Sequence, residues 1–434
     1  MYKVKINQIS SILIAFSILL FAFRGKIGAI AITCAIVVYM YGLIKQTKGH
    51  RPWANAYTAC FIFLFAFVIN AFRSLSLEYY MIIGYFLASL TLLSNRFDGY
   101  DELWKWLKYF SIFGAFGVYL QRFLPGVYYA VISLLLPNEV VASIRSRLIA
   151  GYYTGFSREV SYTMFLVVVG LGLYIFAETK KNRRNDRVAI VFLLGALLLS
   201  GKRATLVFFI LAWFITSFIK SDDKLKIFKY SACVFVGLML VIVTFPYWSK
   251  IPIFSRIVEV INFASLDDLI GITNGRTVIY SNAISLWNTN RWFGIGWSNF
   301  KHSVPSIYWY SGFDVHNCFL QILCETGIIG LVLYSLICII SVTSSIKCIY
   351  MFKHSRLENN YNYGLSLFFA FIQVFFILYS LTEPILYEYT DYIVFFICFG
   401  CTNVMLKSFR RKQPIRRIRS GIEYGKIARK EFNI

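Results

Sequence analysis

Four short motifs lie in order over some sixty residues. They are Asn274-Gly275-Arg276-Thr277, Arg291-Trp292-Phe293-Gly294-Ile295-Gly296, Asp314-Val315-His316-Asn317 and Glu325-Thr326-Gly327-Ile328-Ile329-Gly330-Leu331. The first three stand in a polar segment between long apolar runs, and the fourth leads straight into the next run. That arrangement decides the fold class: a long water-facing loop that ends by re-entering a membrane. The flanking apolar segments then serve to hold the loop.

Composition agrees. The chain has 434 residues, 58% hydrophobic and only 15% charged, a balance that belongs to a multi-span helical membrane protein. A bilayer core of ~30 Å needs about 20 apolar residues per helix. About 12 spans are predicted, near 8–23, 27–44, 54–72, 79–94, 106–124, 160–176, 187–201, 203–219, 230–245, 327–346, 363–382 and 388–405. The expected fold is therefore an all-α polytopic membrane protein with a large extracytoplasmic loop between late helices. It divides into helices over 1–245, a loop over 246–326, helices over 327–406 and a basic tail over 407–434. The apolar piece Tyr128 to Leu136 is too short to cross and reads as interfacial or re-entrant. The first apolar run reads as a retained helix rather than a cleaved signal.

The formal charge of +23 could point to nucleic acid, but its distribution argues for topology. With the N-terminus inside, most Lys and Arg fall in the short cytoplasmic loops and in the tail from Lys407, as the positive-inside rule requires. The tail then anchors to anionic headgroups and does not bind nucleic acid. Arg24 and Lys26 in the first outer loop run against the bias. Both termini are expected in the cytoplasm. His302, His316, Arg158, Arg203, Arg256, Arg276 and Arg291 fall on the outer face, where no nucleotide substrate is at hand.

Several of these residues suit anion chemistry. Arg276 follows an Asn-Gly turn and offers a planar fork that matches phosphate oxygens. Gly201-Lys202-Arg203 sits between two short apolar runs. It reads either as a turn with snorkelling cations or as cations held at headgroup depth to meet a phosphate. His316 reads either as the usual kind of general base or as a structural histidine bonded within the loop. Asp314 reads as the cap of a helix beginning near Cys318, whose free amides would make an anion site beside His316. Arg158 reads as half of an ion pair with Glu159 or as a second phosphate contact. Arg291 and Asn317 complete the candidate substrate contacts. Asp314 with His316 lacks a third metal ligand, so no metal and no cofactor are expected. Gly294-Ile295-Gly296 reads as a tight turn. Glu383, Glu388 and Asp391 crowd the last outer loop; they either raise one another's pKa values or attract a cation. The nine cysteines lie mostly in apolar runs and read as packing residues, with no disulfide between Cys318 and Cys324.

The ordered set resembles the O-antigen ligase and O-antigen polymerase superfamily of bacterial membrane glycosyltransferases. The residues that carry the resemblance are Gly275-Arg276, Gly294-Ile295-Gly296, His316-Asn317-Cys318-Phe319-Leu320 and Glu325 to Leu331. Upstream, Ser200-Gly201-Lys202-Arg203 is similar to a Ser-x-Arg at a span boundary, with one extra lysine. The resemblance implies a GT-C-like fold in the bacterial cytoplasmic membrane. It implies a glycan carried on undecaprenyl pyrophosphate and transferred on the outer face without nucleotide or metal. Arg276 and Arg203 would then stabilise the leaving pyrophosphate, with Lys202, Arg158, Arg291 and Asn317 as further contacts and His316 as base. Partners would be the lipid-linked glycan, the bilayer, a chain-length regulator and a flippase. Within the superfamily a polymerase of repeat units is favoured over a ligase of finished chains. Transport of the lipid-linked glycan is the third reading, disfavoured because the two halves show no repeat and the mid-span positions are nearly free of charge.

Overall fold

The computed structural model describes residues 6–23, 100–177, 183–223, 275–305, 312–353, 360–388 and 390–409, with a few single positions besides. Every regular element among the described residues is an α-helix. In chain order they are α1 (Ile6–Phe23), α2 (Tyr100–Phe123), α3 (Pro125–Leu135), α4 (Asn138–Ile149), α5 (Val160–Phe176) and α6 (Arg183–Leu199). They continue as α7 (Arg203–Lys220), α8 (Arg276–Thr289), α9 (Phe300–Ser303), α10 (Cys318–Lys353), α11 (Asn360–Tyr379) and α12 (Thr390–Phe409).

Four of these, α7, α10, α11 and α12, are long and apolar enough to cross a bilayer. Helices α1, α2, α5 and α6 stand where spans were expected at 8–23, 106–124, 160–176 and 187–201, and α5 is 17 residues long. The expected spans at 27–44, 54–72, 79–94 and 230–245 lie outside the described residues, as does the tail from residue 410.

Patterning explains the arrangement. Helix α5 is apolar on every face and is buried nearly throughout, packed against α2, α6 and α11. Helix α10 turns a stripe at Val332, Leu336 and Ile339 outward, at 50%, 43% and 58% exposure. That spacing of four and three residues covers one side of a helix, which suits contact with lipid chains. Its other side, with Tyr334, Ile337 and Ser341, is buried, and α11 packs against the helix.

Polar contacts tie the helix ends together in two groups. At one end Lys353 Nζ pairs with Asp222 Oδ1 at 2.5 Å and donates to the Lys220 carbonyl at 2.8 Å, while Tyr361 Oη donates to Asp101 Oδ1 at 2.9 Å. At the other, Tyr153 N donates to Ser200 O at 3.1 Å and Cys318 N to Ser380 O at 2.8 Å. Each group joins segments that the alternation of spans puts on one side of the membrane.

The short apolar piece at Tyr128 is half of a helical hairpin. Pro125 starts α3, and the hairpin turns at Pro137 into α4. Tyr128, Ile132, Val141, Ile144 and Phe156 form its small core. Tyr128 Oη donates to the Gly155 carbonyl and fixes the hairpin to the segment that leads into α5.

Candidate active site

The site is built on a break in α10. At Gly327 the backbone leaves the helix, with φ 70° and ψ −169°. The cause is a close approach from the Gly-Ile-Gly loop. A Cβ on Gly327 would lie 2.2 Å from the Trp292 carbonyl oxygen, and one on Gly294, at φ +66°, would lie 2.3 Å from the Glu325 carbonyl carbon. The groups freed by the break are taken up across this contact. Ile295 N donates to Cys324 O at 3.0 Å, Gly296 N to Glu325 O at 2.8 Å, and Ile328 N to Arg291 O at 2.9 Å. The two glycine motifs therefore form one interlock, and Gly294 is required for the approach as well as for a turn.

Glu325 organises what lies above the break. Its side chain is fully buried and accepts from Ser298 N at 2.7 Å, Phe300 N at 3.3 Å, Gln321 Nε2 at 3.2 Å and Tyr387 Oη at 2.6 Å. Gln321, one helical turn earlier, passes this order on. Its Nε2 also donates to Asp314 Oδ1 at 2.9 Å, and its Oε1 accepts from Val315 N at 3.2 Å. Tyr387 stacks on Trp297 with ring centroids 4.2 Å apart, which ties the loop between α11 and α12 to the Gly-Ile-Gly loop.

Asp314 is thus held by Gln321 and does not cap the helix. The cap is Asn317, whose Oδ1 accepts from Leu320 N at 3.0 Å. With the Cys318 amide bonded to Ser380 O, the helix end spends its first amides within the protein. The anion nest expected at that terminus is therefore already partnered at two of its amides. His316 instead sits just before the helix in the left-handed region, at φ 56°, and its carbonyl accepts from Tyr280 Oη at 3.4 Å.

Two of the expected residues pair with one carboxylate, and a third, His316, is within its electrostatic reach. Glu383, from the loop between α11 and α12, pairs with Lys202 Nζ at 2.6 Å and Arg276 Nη2 at 3.8 Å. Both Glu383 and Lys202 are largely enclosed, with side chains 8% and 14% exposed. Lys202 comes from the turn between α6 and α7. Arg276 opens α8 after Gly275 at φ 75°. Burial pushes the Glu383 carboxyl up, but Lys202, then His316 and Arg276, outweigh it and hold the carboxyl below its usual range. Burial lowers the Lys202 ammonium, and Glu383 more than reverses this. For His316, burial is the largest cause and lowers the pKa. Glu383 raises it, Arg276 and Lys202 lower it again, and Asp314 raises it, with a net depression. The neutral form of the ring is therefore favoured. Its Nδ1 is buried with no hydrogen-bond partner among the described residues.

A cavity of about 460 Å³ opens beside this cluster. His316 and Glu383 belong to both the cluster and the cavity wall. Arg158 lines the cavity as well. It donates from Nη2 to Tyr162 Oη at 2.8 Å, with its guanidinium 5.2 Å from the Tyr162 ring centroid. The expected Arg158–Glu159 pair is not the one formed: Glu159 pairs with Arg147 at 2.6 Å. Glu388, which also lines the cavity, is pushed up to about 7 by burial, against Tyr162 and Arg158.

Arg203 begins α7, and it is its neighbour Lys202 that reaches Glu383. Arg291 is exposed, 5.9 Å from the Trp287 ring centroid, and its carbonyl accepts from Trp287 Nε1 at 3.1 Å. Sequence reasoning left Glu383 open between raising its neighbours' pKa values and attracting a cation, of which the second is formed, and it missed Gln321. The available signals were a group of acidic residues, Glu383, Glu388 and Asp391, in a short loop between apolar runs, and Gln321 one turn before Glu325 in an apolar helix. Among the described residues, no three His, Cys, Asp or Glu side chains are grouped to hold a metal ion.

No curated protein matches the chain. Residues 188–335, which begin in α6, include Lys202, Arg276 and His316 and end within α10, match the family model described as O-antigen ligase, Wzy_C. Over that segment the chain is similar to O-antigen ligases, in line with the resemblance to the O-antigen ligase and O-antigen polymerase superfamily.

Proposed function

We propose that the protein is a GT-C-type glycosyltransferase of the cytoplasmic membrane that polymerises undecaprenyl-pyrophosphate-linked repeat units on the outer face. The observation that carries this is the position of His316. It lines a polar cavity together with Glu383, the carboxylate that pairs with Lys202 and Arg276, and its Nδ1 has no partner among the described residues. A transferase needs that grouping: an anion-holding group, a base, and room for an acceptor.

The step follows from the residues. The acceptor hydroxyl oxygen attacks the anomeric carbon and forms the new glycosidic bond. The bond from that carbon to the pyrophosphate oxygen breaks, and its electron pair leaves on the pyrophosphate. The hydroxyl proton passes to neutral His316. Arg276 and Lys202, with Arg203 beside them, hold the developing negative charge, the largest contribution such a site makes. Attack from the face opposite the leaving group inverts the anomeric centre. On this reading the segment 246–326 is the catalytic loop between the helices of 1–245 and 327–406, the basic tail 407–434 lies in the cytoplasm with the N-terminus, and a chain-length regulator and a flippase act beside the enzyme.

The description of the matching family favours a second reading, ligation of finished glycan onto lipid A core or another acceptor. The glycan profile of a strain lacking the protein, run on a gel beside the wild type, separates the two. Single repeat units on the normal surface acceptor mean polymerase. Long chains stranded on undecaprenyl pyrophosphate mean ligase. Single lipid-linked units held on the cytoplasmic leaflet would overturn both.

A further inference from the structure

Helix α4 has an organisation that the catalytic cluster does not use. Glu139, Ser143 and Arg147 recur every four residues, which sets them along one face. All three line the cavity, as do His316 and Asp314. The opposite side of α4 carries the buried Val141 and Ile144, packed on Tyr128 and Ile132 of α3. The hairpin thus turns its apolar side to its own core and its hydrogen-bonding side to the cavity. A helix built only to pack or to face lipid would not keep this stripe polar.

The charges on the wall select a class of ligand. Arg147 is occupied by Glu159, and Glu383 by Lys202 and Arg276. Arg158 lies on Tyr162. With Glu139, Asp314 and Glu388 added, carboxylates outnumber guanidiniums on the lining. Such a surface repels phosphate and uronate groups and accepts hydrogen bonds from hydroxyls. The cavity, at about 460 Å³, is of the size of small-ligand sites.

We infer that α4 forms the wall of an acceptor subsite, and that its ligand is an uncharged sugar held through its hydroxyls by Glu139, Ser143 and Arg147 while one hydroxyl meets His316. This rests on the transferase reading, with the pyrophosphate on the Lys202 and Arg276 side and the acceptor on the α4 side.

The test separates the two sides on the full-length protein in nanodiscs. One probe is the lipid-free repeat-unit oligosaccharide from the surface polysaccharide of the same strain, with binding read by ligand-observed NMR. The other is undecaprenyl pyrophosphate, read by native mass spectrometry. Ser143→Trp, which fills the cavity, and Glu139→Ala, an exposed position, should each weaken oligosaccharide binding about tenfold or more, with undecaprenyl pyrophosphate binding unchanged. Arg276→Ala should do the reverse. Oxidising the primary hydroxyls of the oligosaccharide to carboxylates should weaken its binding to the wild type. Wild-type affinity in both α4 variants, or no oligosaccharide binding to the wild type, would overturn the subsite. Equal or tighter binding of the oxidised sugar would overturn the uncharged class. Failure of the wild type to bind undecaprenyl pyrophosphate would instead overturn the transferase reading beneath it.

Discussion

Replacing Glu383 with glutamine tests the electrostatic core of the site. The side chain keeps its shape and one carbonyl oxygen but loses its charge. In a half-wet interior the attraction to Lys202 at 2.6 Å is about 6 kcal/mol gross, and that to Arg276 at 3.8 Å about 4 kcal/mol. Much of this is offset because Glu383 no longer has to be desolvated. Two cations, one of them nearly enclosed, then remain without a carboxylate, and removing one partner of a buried pair costs about 3–5 kcal/mol. Glu383→Gln should therefore unfold at a lower temperature than wild type in nanodiscs. Undecaprenyl pyrophosphate should restore more stability to the variant than to wild type, because its phosphates take the place of the missing charge. The pH dependence has a definite sign. The folded Glu383 pKa lies below its ordinary 4.5, so the wild-type ion pairs contribute fully above that value and are lost as pH falls through the folded pKa. The variant lacks this acid-side loss. Equal stability of the two proteins at pH 7, with equal stabilisation by the lipid pyrophosphate, would refute the reasoning.

Arg276→Lys keeps the charge but loses the fork, so turnover should fall about tenfold or more; equal activity would show that charge alone matters. Gly294→Ala forces a left-handed alanine, about 1–2 kcal/mol, and drives its Cβ into the Glu325 backbone. It should lower the unfolding temperature and abolish activity together, and a normally stable, active variant would contradict the interlock. The acid limb of the rate profile should lie below the ordinary histidine value of 6.5, because burial and the two cations disfavour the imidazolium. Glu383→Gln should move that limb further toward acid, since the lost anion had raised the His316 pKa. A limb that moves toward neutrality would show that another group is titrating.

The all-helical class and the positions of the long apolar helices among the described residues followed from apolar runs, because burial in lipid or in a helical core demands them. The convergence of Arg276, Lys202 and His316 was legible in part. All three were assigned to one face of the membrane by the alternation of spans, and contacts between helix ends keep them at one end of the bundle. Which cation of the Lys202-Arg203 pair reaches inward depends on the rotation of a turn, and sequence spacing does not encode it. Asp314 suited a helix cap by residue type, yet Asn317 took that place because Gln321 holds Asp314 from one turn along α10. The Glu383 hub brings together residues more than one hundred positions apart, so no local pattern announces it. The interlock of Gly294 with Gly327 is of the same kind: each glycine was visible, but not that each makes room for the other.

The most direct measurement is turnover of purified protein in nanodiscs given undecaprenyl-pyrophosphate-linked repeat units, comparing wild type with His316→Ala. The account predicts longer lipid-linked glycan from wild type, with release of undecaprenyl pyrophosphate. It predicts a loss of about 10²–10⁴-fold in the variant, with insertion and unfolding temperature retained. Undiminished glycan extension by a well-folded His316→Ala protein would contradict the assignment of the base, and with it the grouping on which the proposed chemistry stands.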